Sequence, residues 1–248
     1  MEQPILKING IHKKFITEKG NEIDALSGID MTIHENELIC ILGPSGCGKS
    51  TLLRIIAGLE KPSSGEVYYK DKEIKKCHKE IGMVFQQYTL LPWRNIIENV
   101  ALGLEINGID KKQRIEKAKE YLSLVGLDKF EASFPYELSG GMQQRVAIAR
   151  VLANDSNILL MDEPFGALDA HTRVLLQREL LGIWRKNKKT VLFVTHSVDE
   201  SIYLADKIVV MSKSPGKVKK IINVDMERPR ERSNVEFGKL SEKLFNML

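Results

Sequence analysis

Residues Leu38–Thr51 read LICILGPSGCGKST. The apolar run Leu38–Leu42 has the length of a buried strand and is too short for a core helix. It runs straight into a glycine-rich turn, Gly43–Gly48, and then into helix-forming residues, Lys49–Ala57, that stop at Gly58. Gly43, Pro44, Ser45, Gly46, Cys47, Gly48, Lys49 and Ser50 have the spacing GxxxxGK[ST]. Glycines at these places let the backbone curl until its N–H groups converge on one anion, and the N-terminus of the following helix adds its positive end. Lys49 then reaches the β and γ phosphates of a nucleotide, the Ser50 hydroxyl ligates Mg²⁺, and Thr51 stands where it contacts the α phosphate. A glycine turn that merely caps a helix is the other reading. The strand before and the helix after favour the phosphate loop.

Working outward, residues 4–42 read as short strands. Pro62–Gly65 is a turn before a strand near Glu66–Tyr69, and Ile81–Phe85 is a strand ending at Gln86 and Gln87. Residues 92–135 are rich in Leu, Ile, Lys and Glu at helical spacing, with breaks at Gly103, Gly108 and Gly126. This predicts a small helical lobe inserted between sheet segments. Leu138–Ala153 is a further helix, Ile158–Met161 and Val191–Thr195 are buried strands, and helices cover about 170–186 and 198–205. Strands alternating with helices predict an α/β core with a largely parallel sheet. Ser214, Pro215 and Gly216 form a turn between two last strands, and the tail 225–248 is charged and then amphipathic.

The bulk properties exclude several classes. A chain of 248 residues, 43% hydrophobic and 28% charged, is long enough for one full core or a core with a dependent lobe, and its net charge of +4 does not by itself argue for nucleic acid. The cysteines Cys40, Cys47 and Cys77 are odd in number and lack CxxC spacing, which argues against a disulfide framework or zinc site and for a reducing cytosol. The first ten residues do not have the pattern of a signal peptide, and the apolar runs are far short of a membrane span. If the protein works at a membrane, something else supplies the spans.

Three more places carry chemistry. The strand Ile158–Met161 ends in Asp162 and Glu163. Read alone, a strand end capping a loop accounts for them. After a phosphate loop, Asp162 is the carboxylate that reaches the Mg²⁺, and Glu163 polarises the attacking water as general base. His196 follows a strand at its C-terminal end, where ligands sit in open α/β sheets; it is either structural or a γ-phosphate contact. Ser139, Gly140, Gly141, Met142 and Gln143 open a helix. Ser139 reads as its N-cap, yet two glycines beyond a cap weaken a helix by roughly 1 kcal/mol each if they lie in its interior. They make sense where another molecule approaches that helix end closely.

Together these residues resemble the ATP-binding cassette family over almost the whole chain. They stand in family order: Phe15, Gly43–Ser50, Gln86, the signature Leu138–Gln143, Asp162 with Glu163, Asp169 and His196, with no catalytic position substituted. The resemblance implies a P-loop NTPase core with a mostly parallel sheet, an N-terminal antiparallel β subdomain and an inserted α-helical subdomain. It implies a single ATPase domain over 1–248: core and β subdomain over 1–91 and 154–224, helical subdomain with the signature over 92–153, and tail over 225–248. It implies that Phe15 stacks on adenine and that Gln86 senses Mg²⁺ and the attacking water. Ser139, Gly140, Gly141 and Gln143 would serve ATP held by a second copy of the chain, and Asp169 would shape the dimer interface. A homodimer would then close head-to-tail over two ATP molecules.

A narrower resemblance rests on Gln87–Asn95, Pro164–Arg173 and Thr195–Glu200. These stretches look like the ATPase subunits of importers for nitrate, taurine, aliphatic sulfonates and related small solutes. Ser197 stands where many relatives carry Asp, and His171 at a variable position. The resemblance implies a peripheral protein on the cytoplasmic face of the cell membrane, docked through the Leu90–Glu105 stretch with Trp93 to integral membrane permease subunits, and served indirectly by a solute-binding protein. Nucleic acid is not an expected partner. Leu90–Glu105 also reads as lobe core, and the run Lys217, Lys219 and Lys220 as a solvated strand edge. Two other cassette types remain as alternatives: a soluble ATPase acting on nucleic acid or ribosomes, and a non-hydrolysing subunit. A single phosphate loop and a short interval from Gln86 to Leu138 speak against the first. Intact Glu163 and His196 speak against the second.

Overall fold

A computed structural model describes residues 4–187 and 189–248. In chain order the elements are β1 (Pro4–Ile16), β2 (Glu22–His34), β3 (Leu38–Leu42), α1 (Lys49–Ile56), β4 (Ser64–Tyr69), β5 (Lys72–Glu73), β6 (Ile81–Val84), α2 (Ile96–Ile106), α3 (Lys111–Leu124), α4 (Gly140–Ala153), β7 (Ile158–Asp162), α5 (Ala170–Asn187), β8 (Thr190–Thr195), α6 (Val198–Leu204), β9 (Lys207–Met211), β10 (Val218–Asn223) and α7 (Val235–Phe245). They fall into two compact units, Met1–His78 with Lys188–Leu248, and Lys79–Asn187.

In the first unit, β2, β1, β4 and β5 form an antiparallel sheet in that order. The stretch expected as short strands is in fact two strands of thirteen residues followed by β3. Their pairing survives past the polar residues because several register shifts let the ladder bend instead of ending. A second layer runs β10, β9, β3, β8. Here β3 is parallel to both neighbours, with Leu38 opposite Val191 and Cys40 opposite Ile208. Every residue of β3 and β8 is buried, which is why both read as unbroken apolar runs instead of alternating ones. The start of β3 is fixed by Asp206, whose carboxylate accepts from Leu38 N at 2.9 Å.

The charged tail is part of this unit. Arg230 is buried, and its guanidinium donates to Ile202 O and Ala205 O, each at 2.6 Å, and to Val224 O at 3.1 Å. It thereby satisfies carbonyls that the end of α6 leaves open. No helix among the described residues is long and apolar enough to cross a membrane.

In the second unit, β6 and β7 pair in parallel, Ile81 opposite Ile158 through Val84 opposite Met161. Helices α2, α3 and α4 lie between them in sequence and pack on one another. Gly103, expected as a break, sits inside α2. A Cβ there would fall 2.1 Å from the side-chain amide of Asn154, so the glycine admits α2 against the end of α4 and does not end the helix. Asn95 caps α2 in a reciprocal box with Glu98, and Asp110 caps α3.

Candidate functional site

The residues expected at the site divide between the units. Phe15, Gly43–Thr51 and His196 belong to the first; Gln86, Ser139–Gln143, Asp162, Glu163 and Asp169 belong to the second.

In the first unit the turn after β3 is shaped by steric necessity. Gly46 and Gly48 hold φ of 77° and 90°, a region open to glycine at little cost. A Cβ on Gly48 would also lie 2.7 Å from Ala25 O. The underside of the loop is closed by Gly216, where a Cβ would fall 2.1 Å from Cys47 O. Gly216 also donates to Ala25 O at 3.0 Å and accepts from Ser27 N at 2.9 Å. The Ser214–Gly216 turn, legible only as a link between strands, is thus a floor under the loop.

Lys49 is 4% exposed. Its Nζ donates to Gly43 O at 2.7 Å and Pro44 O at 3.0 Å, folding the ammonium over its own loop. Ser45 and Gly46 face solvent. The loop therefore offers an exposed curl of backbone with a cation drawn in behind it, the form of a phosphate cradle. Burial pushes the Cys40 thiol well up; Glu200 adds to the rise and Lys49 opposes it. Burial also raises the Cys47 thiol, again against Lys49.

Phe15 is half-exposed near the end of β1, with Lys13 Nζ 4.8 Å from its ring centroid. His196 is exposed at the end of β8. Its turn is fixed by residues on both sides: Thr195 Oγ1 donates to Glu200 Oε2 at 2.6 Å and accepts from Ser197 N at 3.0 Å. Ser197 Oγ in turn accepts from Glu200 N at 3.3 Å. Glu200 is buried. Its place near the start of a helix was the only hint of this role in the sequence.

In the second unit, β7 carries Asp162 to its end with 2% exposure. Glu163 follows in the left-handed region at φ 45°, a conformation that costs a non-glycine residue about 1–3 kcal/mol and clusters at functional sites. Ser139 caps α4, its Oγ accepting from Met142 N at 3.4 Å. A Cβ on Gly141 would sit 3.4 Å from Leu168 Cδ2, so the signature glycine lies against the segment leading to Asp169. Gln143 turns back on its own chain, donating to Pro135 O at 2.9 Å and Leu138 O at 3.1 Å. Asp169 accepts from Thr172 N at 2.9 Å, capping α5, and this bond holds its carboxyl below the usual range.

Gln86 is exposed just past β6. Beyond it, the turn Leu91–Asn95 presents Trp93, 72% exposed. Asn99, fully buried, builds that turn: its Oδ1 accepts from Leu91 N at 2.8 Å, and its Nδ2 donates to the carbonyls of Leu91, Arg94 and Asn95. No sequence signal singled out Asn99, because its partners are backbone groups of ordinary residues.

The groups expected to hold Mg²⁺ are hard oxygen donors: the Ser50 hydroxyl in the first turn of α1, the Gln86 amide oxygen just past β6 and the Asp162 carboxylate at the end of β7. Among the described residues no group of three or more His, Cys, Asp or Glu side chains is placed to hold a metal ion. Each is by its chemistry a donor that magnesium accepts, since that ion keeps waters and substrate phosphate oxygens in its shell and needs no all-protein cage.

Known proteins resemble this chain in sequence and in fold. The ABC transporter family model matches residues 26–166. An ABC transporter ATP-binding protein of Methanocaldococcus jannaschii is 56% identical over 243 residues, 98% of this chain and 91% of that protein. An aliphatic sulfonates import ATP-binding protein of Bacillus cereus is 45% identical over 239 residues, 96% of this chain and 94% of that protein. A dimeric ATP-binding cassette in a post-hydrolysis state, bound to ADP and phosphate, superposes with TM-score 0.82 at 34% identity, covering 90% of this chain and all of that one.

Proposed function

The chain belongs to the ABC transporter family, and on that premise we propose that it is the ATP-hydrolysing subunit of an importer, driving uptake of a small solute through separate membrane subunits. The observation that carries the hydrolytic part is that the chain holds both a glycine cradle, at Gly43–Gly48 in the first unit, and, in the second, a strand end that presents a buried Asp162 followed by a strained Glu163. Phosphate oxygens take the loop N–H groups, and Lys49 exchanges the carbonyls of Gly43 and Pro44 for the β and γ phosphates. Ser50, Asp162 and Gln86 would hold Mg²⁺, which would neutralise charge on the phosphates when bound. Glu163 accepts a proton from the attacking water as the bond to the ADP oxygen breaks, and His196 steadies the γ phosphate. Phe15 receives the adenine.

Ser139, Gly140 and Gly141 present the N-terminus of α4 to the γ phosphate held by a second copy, with Gln143 keeping that helix end in place and Asp169 shaping the interface. ATP then binds the closed dimer better than the open one, and hydrolysis removes the preference. The aliphatic-sulfonate import relative favours import of a sulfonate, taurine or nitrate-like solute, and the exposed Trp93 turn suits docking on a permease. A solute-binding protein delivers the cargo, and the chain sits peripherally on the cytoplasmic face of the membrane.

Two measurements test the reading. Glu163→Gln is expected to retain ATP binding, lose turnover by roughly 10³-fold, and accumulate as an ATP-bound dimer on size exclusion. Turnover at the wild-type rate sinks the assignment of Glu163. Affinity capture of the tagged protein from detergent-solubilised membranes of its host is expected to bring a polytopic membrane protein in near-equal amount. Capture of nucleic acid or ribosomal proteins instead overturns the importer reading and leaves the ATPase standing.

A further inference from the structure

The segment that follows Gln86 is fastened to the signature helix at both ends of that helix. Near its C-terminal end, Arg150 Nη1 donates to Thr89 O at 3.0 Å, and Arg150 Nη2 donates to Tyr88 O at 3.3 Å and to Thr89 Oγ1 at 3.0 Å. At its start, the Tyr88 phenol lies so close to Gly140 that a Cβ there would fall 2.7 Å from Oη and 3.4 Å from Cζ. Gly140 and Arg150 are ten residues apart on α4, about 15 Å at the helical rise. The two side chains, Tyr88 and Arg150, together bridge that length. Thr89 is held at φ 47°, a genuine outlier for a β-branched residue, so its conformation is imposed by the tether and not by local preference.

From this geometry we propose that Tyr88 and Arg150 are positioning residues that couple Gln86 to the signature. They make the loop carrying Gln86 and the helix end at Ser139–Gly141 move as one piece. Engagement of a γ phosphate at the start of α4 then sets where Gln86 stands relative to the attacking water. The inference rests on the proposed roles of Gln86 and the signature. Arginine is needed at 150 because a planar guanidinium serves three acceptors on two residues at once; a lysine ammonium is a single point. Gly140 acquires a second purpose beside access for ATP, since any side chain there displaces Tyr88.

The test is a double-mutant cycle on the full chain between Arg150→Ala and Gln86→Ala, read as kcat and KM for Mg-ATP, with nucleotide affinity and thermal midpoint measured alongside. Arg150→Ala is expected to lower kcat roughly tenfold, the size of a coupling carried by a packed network, with ATP affinity unchanged. In the Gln86→Ala background the same substitution is expected to cost nothing further, because the residue it acts through is gone. Independent, multiplying losses overturn the proposal and leave Arg150 as a merely structural residue. If Arg150→Ala does not fold, Arg150→Lys replaces it in the cycle, with a loss of roughly threefold that must likewise vanish without Gln86. The proposed hydrolysis is tested separately: a wild-type chain with no Mg-dependent turnover removes that reading and the coupling with it, whereas normal turnover with multiplying losses removes the coupling alone.

Discussion

The loop Gly43–Gly48 follows the fully buried β3 and the segment Gln86–Leu91 follows the half-buried β6, and they are held by opposite means. The first is fixed by its own backbone and by close packing. Gly48 lies against Ala25 and Leu26, Gly216 lies under Cys47, and Lys49 bonds carbonyls five and six residues away. The second makes its fixing bonds to side chains of helices: Arg150 reaches back sixty-one and sixty-two residues to Thr89 and Tyr88, and Asn99, eight residues on, gathers Leu91. A loop fixed by packing is rigid whatever its surroundings do. A loop hung from another helix goes where that helix goes, which suits a sensor.

The difference can be broken from either side. The largest effect is expected from Gly48→Ala. A Cβ at φ 90° and 2.7 Å from Ala25 O meets backbone that cannot swing aside. Strain and overpacking together cost about 4 kcal/mol, read as a lowered urea midpoint, and ATP affinity falls with it. A stable Gly48→Ala that binds ATP normally would show the loop to be held some other way.

Next comes Asn99→Leu. It leaves the Leu91 N–H and several carbonyls without their partner, costing about 2–3 kcal/mol. The loss is expected to loosen the Trp93 turn, seen as faster amide exchange over 91–95, while nucleotide affinity stays at the wild-type level. Equal losses at both loops would erase the contrast between them.

The smallest effect is expected from the ion pair of Lys207 with Glu37 at the base of β3 and β9. Burial works against the Glu37 carboxylate, but the His34 N–H and the Lys207 ammonium outweigh it and hold its pKa below the ordinary value. Such a group contributes stability that is full above its unfolded pKa and lost as pH falls through the lower folded one. Lys207→Met is expected to lower the thermal midpoint by a few degrees at neutral pH, where Glu37 is ionised, and the deficit is expected to shrink as pH falls through the carboxylate range between about pH 5 and about pH 3. A deficit that stays constant down to about pH 3 would show that Lys207 stabilises the strand by packing and not by its charge.

Much of the fold was legible. Leu38–Leu42 is a strand at the bounds expected, α1 starts at Lys49 as expected, α4 starts at Gly140, two residues past the expected Leu138 and directly after its expected cap Ser139, and the buried strands at Ile158 and Val191 appear within a residue. These succeed because a short apolar run, a cap and a glycine turn are local signals. The first two strands are longer than expected because cross-strand pairing with register shifts carries them through polar residues that end a strand when read alone. Gly103 misled for the same reason: its purpose is a contact with Asn154, fifty-one residues on, that no local reading contains.

By itself, the sequence determined the chemistry on offer. Each motif is contiguous, since a phosphate cradle, a strand-end carboxylate pair and a capped glycine helix start are all built from neighbours along the chain. Only the tertiary structure decided how those motifs are braced: Gly216 under Cys47, Glu200 against Thr195, Asn99 behind Trp93, and Arg150 across to Tyr88 and Thr89. These braces are hydrogen bonds and close approaches made by residues outside the motifs themselves. Their partners are mostly backbone groups, which every residue carries alike and which therefore leave no mark in the sequence.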